Sequence, residues 1–354
     1  MNDSFVDDSK IRLLTFDESA FLPEQHALNA GFTGMDTWIK FVEKVYGYSV
    51  YRFEIRKGTE ITGLLALMHV RHPIFGNYLV TAPFGSYGGF FYSSKNAQKA
   101  LLNRARALSK ELDVDYINVR FLNGELVPPD GWIQNPIYAT YLADLTPNPE
   151  SLLNTYGSDH RNHIRKSLKK GFSIRYGRLE LLDDAYEGLA RSMHELGSPY
   201  HNKAYLRAMA ESLGDTVEFA VLYGPNKDLA GAGVFISQGH VVSNLHANVL
   251  RRFRRDYAGE YLYWSVITRY CQKGFRIFDM GRSLLGSGNE IFKSKWKPRK
   301  QLLAYWYSFR GDISAQLPEL NQKNPKFRAA IWVWKRLPAI IVRPLGPSLI
   351  KGLA

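Results

Sequence analysis

The side chains best suited to chemistry gather in one stretch, FDMGRSLLGSGNEIFKSKWKP, residues 278–298. Phe278 and Met280 have the spacing of buried strand positions, and Asp279, Gly281, Arg282 and Ser283 continue the strand. Gly286 and Gly288 then loosen the chain, and Phe292, Lys293, Lys295 and Trp296 follow in close order. The end of a central strand is where scaffolds of mixed helices and strands place their ligands. A carboxylate, a guanidinium and an ammonium there suit acyl transfer. Asp279 orients Arg282 or an attacking amine, and Lys293 sets its charge against the oxyanion of a tetrahedral intermediate. An amine attacking an activated ester or thioester held in line needs little more. Lys293 and Asp279 are therefore the catalytic candidates, and Arg282 is a substrate contact.

Other chemistries lack their signatures. The chain has no G-x-x-x-x-G-K-[ST] phosphate loop, no H-E-x-x-H, no G-x-S-x-G and no cysteine pair for zinc. Its one cysteine, Cys271, excludes a disulfide framework and fits a reducing compartment. His160 and His163 are spaced i,i+3, but they lie among cations and no neighbouring carboxylate joins them, so no metal is expected.

The elements that must hold these residues repeat along the chain. SVYRFEIR (49–56), ITGLLALMHV (61–70) and YLVTA (78–82) read as strands, followed by a helix near Asn96 to Glu111 and the strand DYINVRF (115–121). The same order returns as VEFAVLY (217–223), LAGAGVFIS (229–237), HVVSNLHAN (240–248), a helix from Gly259 to Lys273 stopped by Gly274, and FRIFDM (275–280). A repeat this long indicates a duplicated domain. The order β-β-β-α-β preceded by helices is that of the GNAT acyltransferase fold. The expected architecture is α+β, with tandem GNAT-like domains at 10–147 and 148–310 and a basic amphipathic tail at 311–354.

The 354 residues carry 46 Lys plus Arg against 33 Asp plus Glu, a net charge of +13, which favours a polyanionic partner. Between Arg161 and Arg178 there are seven cations and no acid. SDHRNHIRKSLKKGF (158–172) predicts a helix capped by Ser158 or Asp159 and stopped at Gly171, with only Ile164 and Leu168 as an apolar seam. Arg161, Arg165, Lys166 and Lys169 on it are the polyanion-binding candidates.

GNAT enzymes that use acyl-CoA carry [QR]-x-x-G-x-[GA] before their central helix, with backbone N–H groups on the pyrophosphate. Here the segment reads Arg254-Arg255-Asp256-Tyr257-Ala258-Gly259, and Tyr257 occupies the first glycine position. Weak binding of acetyl-CoA is expected. The chain resembles instead the FemAB family, the aminoacyl transferases that build peptidoglycan cross-bridges, and most of all its branch in bacterial exopolysaccharide and exosortase systems. APFGSYGG (82–89), the basic run from Arg161 to Gly171, FDMGRS (278–283) and IFKSKW (291–296) carry the resemblance, in order, over residues 10 to 350. It implies two GNAT-like domains, an aminoacyl-tRNA donor with no resident cofactor, and a cell-envelope precursor as acceptor. It assigns Lys293 to the acyl transfer through the family's F-K-x-x-[FW] motif. It matches a phosphate-holding pair to His201 and Tyr205, with histidine in place of the family's arginine; His246 joins them as a candidate substrate contact. Two other readings stand beside this one. One is a GNAT N-acyltransferase using acyl-CoA or acyl carrier protein on an amino sugar, which the loop at Tyr257 disfavours. The other is a non-catalytic nucleic-acid- or glycan-binding protein.

The polar, acidic N-terminus MNDSFVDDSK lacks the apolar core of a signal peptide, and a cytoplasmic location is expected. The segment 324–354 interleaves Phe327, Ile331, Trp332, Trp334 and Leu337 with Lys326, Arg328, Lys335, Arg336 and Arg343. It is too charged to span a bilayer and suits either an anionic membrane interface or packing against the domains.

Overall fold

A computed structural model describes residues 12–13, 26–311 and 325–354. The start of the expected first domain, residues 312–324 and the side chains of Lys326 and Phe327 lie outside the described residues. The chain forms two compact units, one of residues 1–139, 301–317 and 351–354 and the other of residues 140–300 and 318–350. The divisions thus fall at 139/140 and 300/301, where the sequence reading draws boundaries at 147 and 310.

The first unit begins with helix α1 (Asp36–Tyr46) and the meander β1 (Ser49–Lys57), β2 (Glu60–His72) and β3 (Gly76–Val80). Helix α2 (Lys95–Glu111), capped by the Ser94 hydroxyl, crosses to β4 (Tyr116–Leu122), which runs parallel to β3. The apolar spacing of α2 sets Ala97, Leu101, Ala105 and Leu108 against Phe53, Leu65, Leu67, Ile117 and Val119 in one core. APFGSYGG is a packing loop. Any side chain at Gly85 or Gly88 would meet Thr33 at 2.3 Å, and Thr33 donates to the carbonyl of Tyr87.

The second unit repeats the plan. It opens with strand β5 (Tyr138–Asp144), the basic helix α3 (Ser158–Leu168) and strand β6 (Ser173–Gly177). Helices α4 (Leu182–Leu196) and α5 (Lys203–Leu213) then precede the meander β7 (Val217–Tyr223), β8 (Leu229–Gln238) and β9 (Val241–Val249). Gly188 of α4 lies against Ala232 of β8, so small residues let helix and sheet approach closely. Helix α6 (Ala258–Gln272) is buried on most of its circumference, as a central helix must be, and the chain turns at Gly274 (φ 81°) into β10 (Ile277–Asp279). Beyond it lie α7 (Gly288–Ser294) and β11 (Arg299–Phe309); from Gln301 on β11 belongs to the first unit and pairs there with β4 from Leu303 to Phe309.

Two expectations about the basic helix are corrected by the structure. The basic helix starts from Gly157, with no side-chain cap. Leu168 is 49% exposed, and the buried seam is His160, Ile164 and Ser167 instead. The tail packs on other parts of the chain, one of the two places its composition suits. It forms α8 (Pro325–Trp334) and α9 (Ala339–Lys351), the latter with Pro344 and Pro347 inside it. Within the second unit the carbonyl of Trp334 meets His194, Arg343 pairs with Glu187 at 2.7 Å, and Gly346 lies under the backbone of Tyr200. Within the first unit Tyr48 and Tyr78 donate to the carbonyls of Lys351 and Gly352, and Arg120 donates to that of Ala354.

A Cβ at Gly346 would sit 2.8 Å from the Tyr200 carbonyl. Gly346→Val is therefore expected to cost about 2 kcal/mol and to lower the melting temperature measured by calorimetry. An unchanged melting temperature would mean that the tail packs on nothing.

Candidate active site

The local backbone of the second unit opens where β9 and β10 part. These parallel strands pair at Val241–Ile277, Val242–Phe278 and Ser243–Asp279, but β9 continues to Val249 paired with β8 and no longer with β10. Asn244 bridges the opening with one amide group, which donates to the hydroxyl of Tyr263 (3.0 Å) and the carbonyl of Met280 (3.3 Å). On the other edge of β9, Leu245 is an extra residue against β8, a bulge between the Asn244–Phe235 and His246–Val234 pairs.

Asp279 lies at this parting and is buried. Its carboxylate accepts from the Thr140 hydroxyl and from the N–H of Gly281 (2.9 Å). Gly281 has φ 76°, the left-handed turn that directs its carbonyl and that of Arg282 to one point. The side chain of Lys293 ends at that point. It donates to the carbonyls of Gly281 (2.7 Å) and Arg282 (2.9 Å), and its nitrogen lies 5.7 Å from the centre of the Tyr141 ring. Lys293 is only 7% exposed. Burial pulls its pKa down to about 7; the Asp279 carboxylate opposes that fall and the Arg282 guanidinium adds to it.

Helix α7 fixes the lysine. Ser287 caps it by accepting from the N–H of Glu290, and Glu290 accepts from Gly286 and from Lys300. The Lys300 ammonium and the Gly286 N–H hold the Glu290 carboxyl at about 2. Phe292 and Trp296, four residues apart, pack on Tyr263 with ring centres 5.1 and 5.8 Å away. Trp296 also meets the His160 ring edge-on at 4.4 Å.

The sequence-derived candidates fall into three groups. Asp279, Lys293 and the backbone of Arg282 form one hydrogen-bonded cluster; the Arg282 side chain is exposed. His201, Tyr205 and His246 form a second cluster. His201 stacks on Tyr205 at 3.7 Å and lies 5.9 Å from His246, and burial lowers the pKa of both histidines. A small cavity beside it is lined by Tyr186, His194, Tyr200, His201, Trp334 and Arg343. On α3, Arg165, Lys166 and Lys169 are exposed, whereas Arg161 is spent on the carbonyls of Asn154 and Tyr156. Sequence reasoning missed Thr140, Tyr141 and Glu290, which hold or flank the lysine. Only Glu290 left a local signal, as the fourth residue of a Ser-x-x-Glu start.

Tyr257 has φ 61°, a left-handed backbone with a bulky side chain, at the N-cap of α6. Its ring stacks on His163 at 4.6 Å. The strained tyrosine fills the place where CoA-binding members of this fold have glycine.

Residues 158–294 match the family model described as an acetyltransferase (GNAT) domain. Over most of its length the chain has the fold of FemX. That structure is 13% identical, with a TM-score of 0.61 over 81% of this chain and 94% of FemX. L-PGS from Bacillus licheniformis is 12% identical, with a TM-score of 0.53 over 86% of this chain and 97% of its own. A conserved protein of unknown function from Bacteroides thetaiotaomicron is 12% identical, with a TM-score of 0.55 over 80% and 92%. No curated protein matches the sequence. The α+β architecture of tandem GNAT-like domains expected from the repeat is thus the architecture found.

The lysine environment has a direct test. In NMR of protein carrying ¹³C at the lysine ε carbons, one resonance should titrate near pH 7 and be missing from Lys293→Met. Folding holds this group's pKa below that of the unfolded chain. The lysine therefore destabilises the fold at low pH, and its contribution to stability improves as pH rises from about 7 towards the ordinary lysine value. A full set of ε resonances titrating in the usual range would remove Lys293 from the site.

Proposed function

We propose that this protein is a FemAB-like aminoacyl transferase that moves an amino acid from an aminoacyl-tRNA onto an amine of a cell-envelope precursor, in peptidoglycan or exopolysaccharide. The observation that carries the reading is Lys293, a buried lysine poised near neutral pH where β9 and β10 separate. A neutral lysine amine has two N–H donors and one lone pair. The carbonyls of Gly281 and Arg282 take both donors, which leaves the lone pair for the substrate. Lys293 accepts the proton that the attacking amine loses as its C–N bond to the ester carbon forms. It returns that proton to the ribose oxygen as the ester C–O bond breaks. Between these steps its positive charge faces the oxyanion. A pKa close to the working pH suits both directions of transfer. Asp279 positions the Gly281 turn and steadies the protonated lysine.

The transfer is tested with labelled aminoacyl-tRNA and envelope precursors, read by mass spectrometry of the product. Lys293→Met should lower kcat by about 10², equivalent to roughly 3 kcal/mol. Lys295, exposed and two residues on, is the control, and equal small losses at both positions would overturn the assignment. Transfer from acetyl-CoA at the same rate would favour the N-acyltransferase reading.

The donor reading rests on α3. With Arg165, Lys166 and Lys169 replaced by glutamate, tRNA affinity should fall and the slope of log K against log salt should decrease by about 2–3. Unchanged tRNA affinity would leave the helix as a solubilising face.

A peripheral place on an anionic membrane is part of the proposal. On α8 and α9, Trp332 is 58% and Ile340 81% exposed, with Arg336 stacked over Trp332. Among the described residues no helix is long and apolar enough to cross a membrane. Replacing Trp332 and Ile340 by aspartate should reduce cosedimentation with phosphatidylglycerol vesicles several-fold. Equal binding of wild type and variant would leave these side chains without that role.

A further inference from the structure

The sequence reading set metal binding aside because no carboxylate stands near His160 and His163. The fold supplies one from about a hundred residues away. Glu260, in the first turn of α6, meets the two histidines of α3, and donor atoms of all three lie within 4.8 Å of one another. His160 is 4% exposed, and neither of its ring nitrogens has a hydrogen-bond partner. A buried imidazole with two unsatisfied nitrogens is costly unless something uses them. Glu260 is 8% exposed, a carboxylate drawn into the interior at the positive end of a helix.

We propose that His160, His163 and Glu260 form a binding site for a divalent transition ion of the zinc class, with three protein ligands and one open position. Two imidazoles and a carboxylate are a borderline-soft set that suits zinc and cobalt rather than magnesium or calcium. Bonds of about 2.0–2.1 Å place tetrahedral donors roughly 3.4 Å apart, so the three groups draw together on loading. His163 is half-buried with its ring stacked on Tyr257, and the Trp296 ring packed edge-on meets His160. The ion ties the basic helix to the central helix and leaves its open position at the N-terminus of α6. This assignment does not rest on the transfer reaction, and its test uses no substrate.

The test titrates the full-length, chelator-treated protein with Co²⁺ and follows the visible d–d absorption of the four-coordinate ion; thermal unfolding is then measured with and without Zn²⁺. We expect saturable binding of about one ion per chain, a spectrum with at least one imidazole ligand, and a higher melting temperature in zinc. His163→Asn and Glu260→Gln should each weaken Co²⁺ binding by at least roughly tenfold, while His240→Asn, outside the cluster, leaves it unchanged. Glu260→Gln keeps size and shape, so it remains informative if a histidine variant misfolds. A featureless Co²⁺ titration, or bands that survive intact in folded Glu260→Gln or His163→Asn, would overturn the site.

Discussion

Removing the lysine ammonium of residue 293 from water is the constraint on which the second unit is built. The cost of burying an unpaired cation is several kcal/mol, and a group left so tends to neutralise instead. A nearby carboxylate opposes that process, and two convergent carbonyls take the hydrogen bonds of the lysine nitrogen. Each has its own support. The carbonyls converge because Gly281 adopts φ 76°; the turn holds because Asp279 takes the Gly281 N–H; and Asp279 is itself held by Thr140 of β5. β5 lies beside β10 through the Asp279–Leu142 register, so the sheet fixes both ends of this chain of contacts. The lysine is thus positioned just beyond the point where β9 and β10 part.

The same short helix looks two ways. Lys293 points back to the Gly281 turn, while Phe292 and Trp296 pack on Tyr263 of α6 and, through Trp296, on His160 of α3. Tyr156 closes this aromatic wall from the other side of Trp296, with ring centres 5.5 Å apart. A change in the seating of α3 is therefore felt at Trp296, and Trp296 is three residues from the lysine. The wall gives the basic helix a physical route to the site that does not pass through substrate.

Residue order made the repeat legible because it is written in local patterns. β1, β2, β7, β8 and α6 follow alternation, helix spacing and Gly274, and their observed limits lie within two residues of the expected ones. β5 and β11 escaped because their pairing is settled by partners far along the chain: β10 for the first and β4 for the second. In α3 the apolar seam was misread because a histidine, not Leu168, takes the buried position facing Trp296. The tail's place followed from no periodicity at all. Contacts such as Gly346 under Tyr200 and Tyr78 on the Gly352 carbonyl depend on where two distant segments meet. Of the site, Asp279 and Lys293 were visible as side chains. What makes the lysine unusual is its burial, beside two carbonyls turned by one glycine, and a sequence shows residue types rather than burial or carbonyl directions.

The basic surplus acquires meaning once its partners are known. Many of the 46 Lys and Arg are engaged with acids and so add nothing to the +13 excess. Arg269 and Lys273 share Glu218, Lys170 holds Asp256, Arg252 holds Asp228, Arg299 holds Asp144 and Lys300 holds Glu290. Exposed pairs of this kind contribute about 0–1 kcal/mol and weaken with salt. They do little for stability, yet each one lessens the local field that an approaching anion meets. Arg165, Lys166 and Lys169 are exposed with no acidic partner among the described residues, and all three project from a single turn and its continuation. Binding a phosphate backbone there breaks no internal pair and gains the release of condensed counterions. That concentration, rather than the overall charge, is what the proposed polyanion contact rests on, and the wall at Trp296 joins α3 to the short helix that carries Lys293.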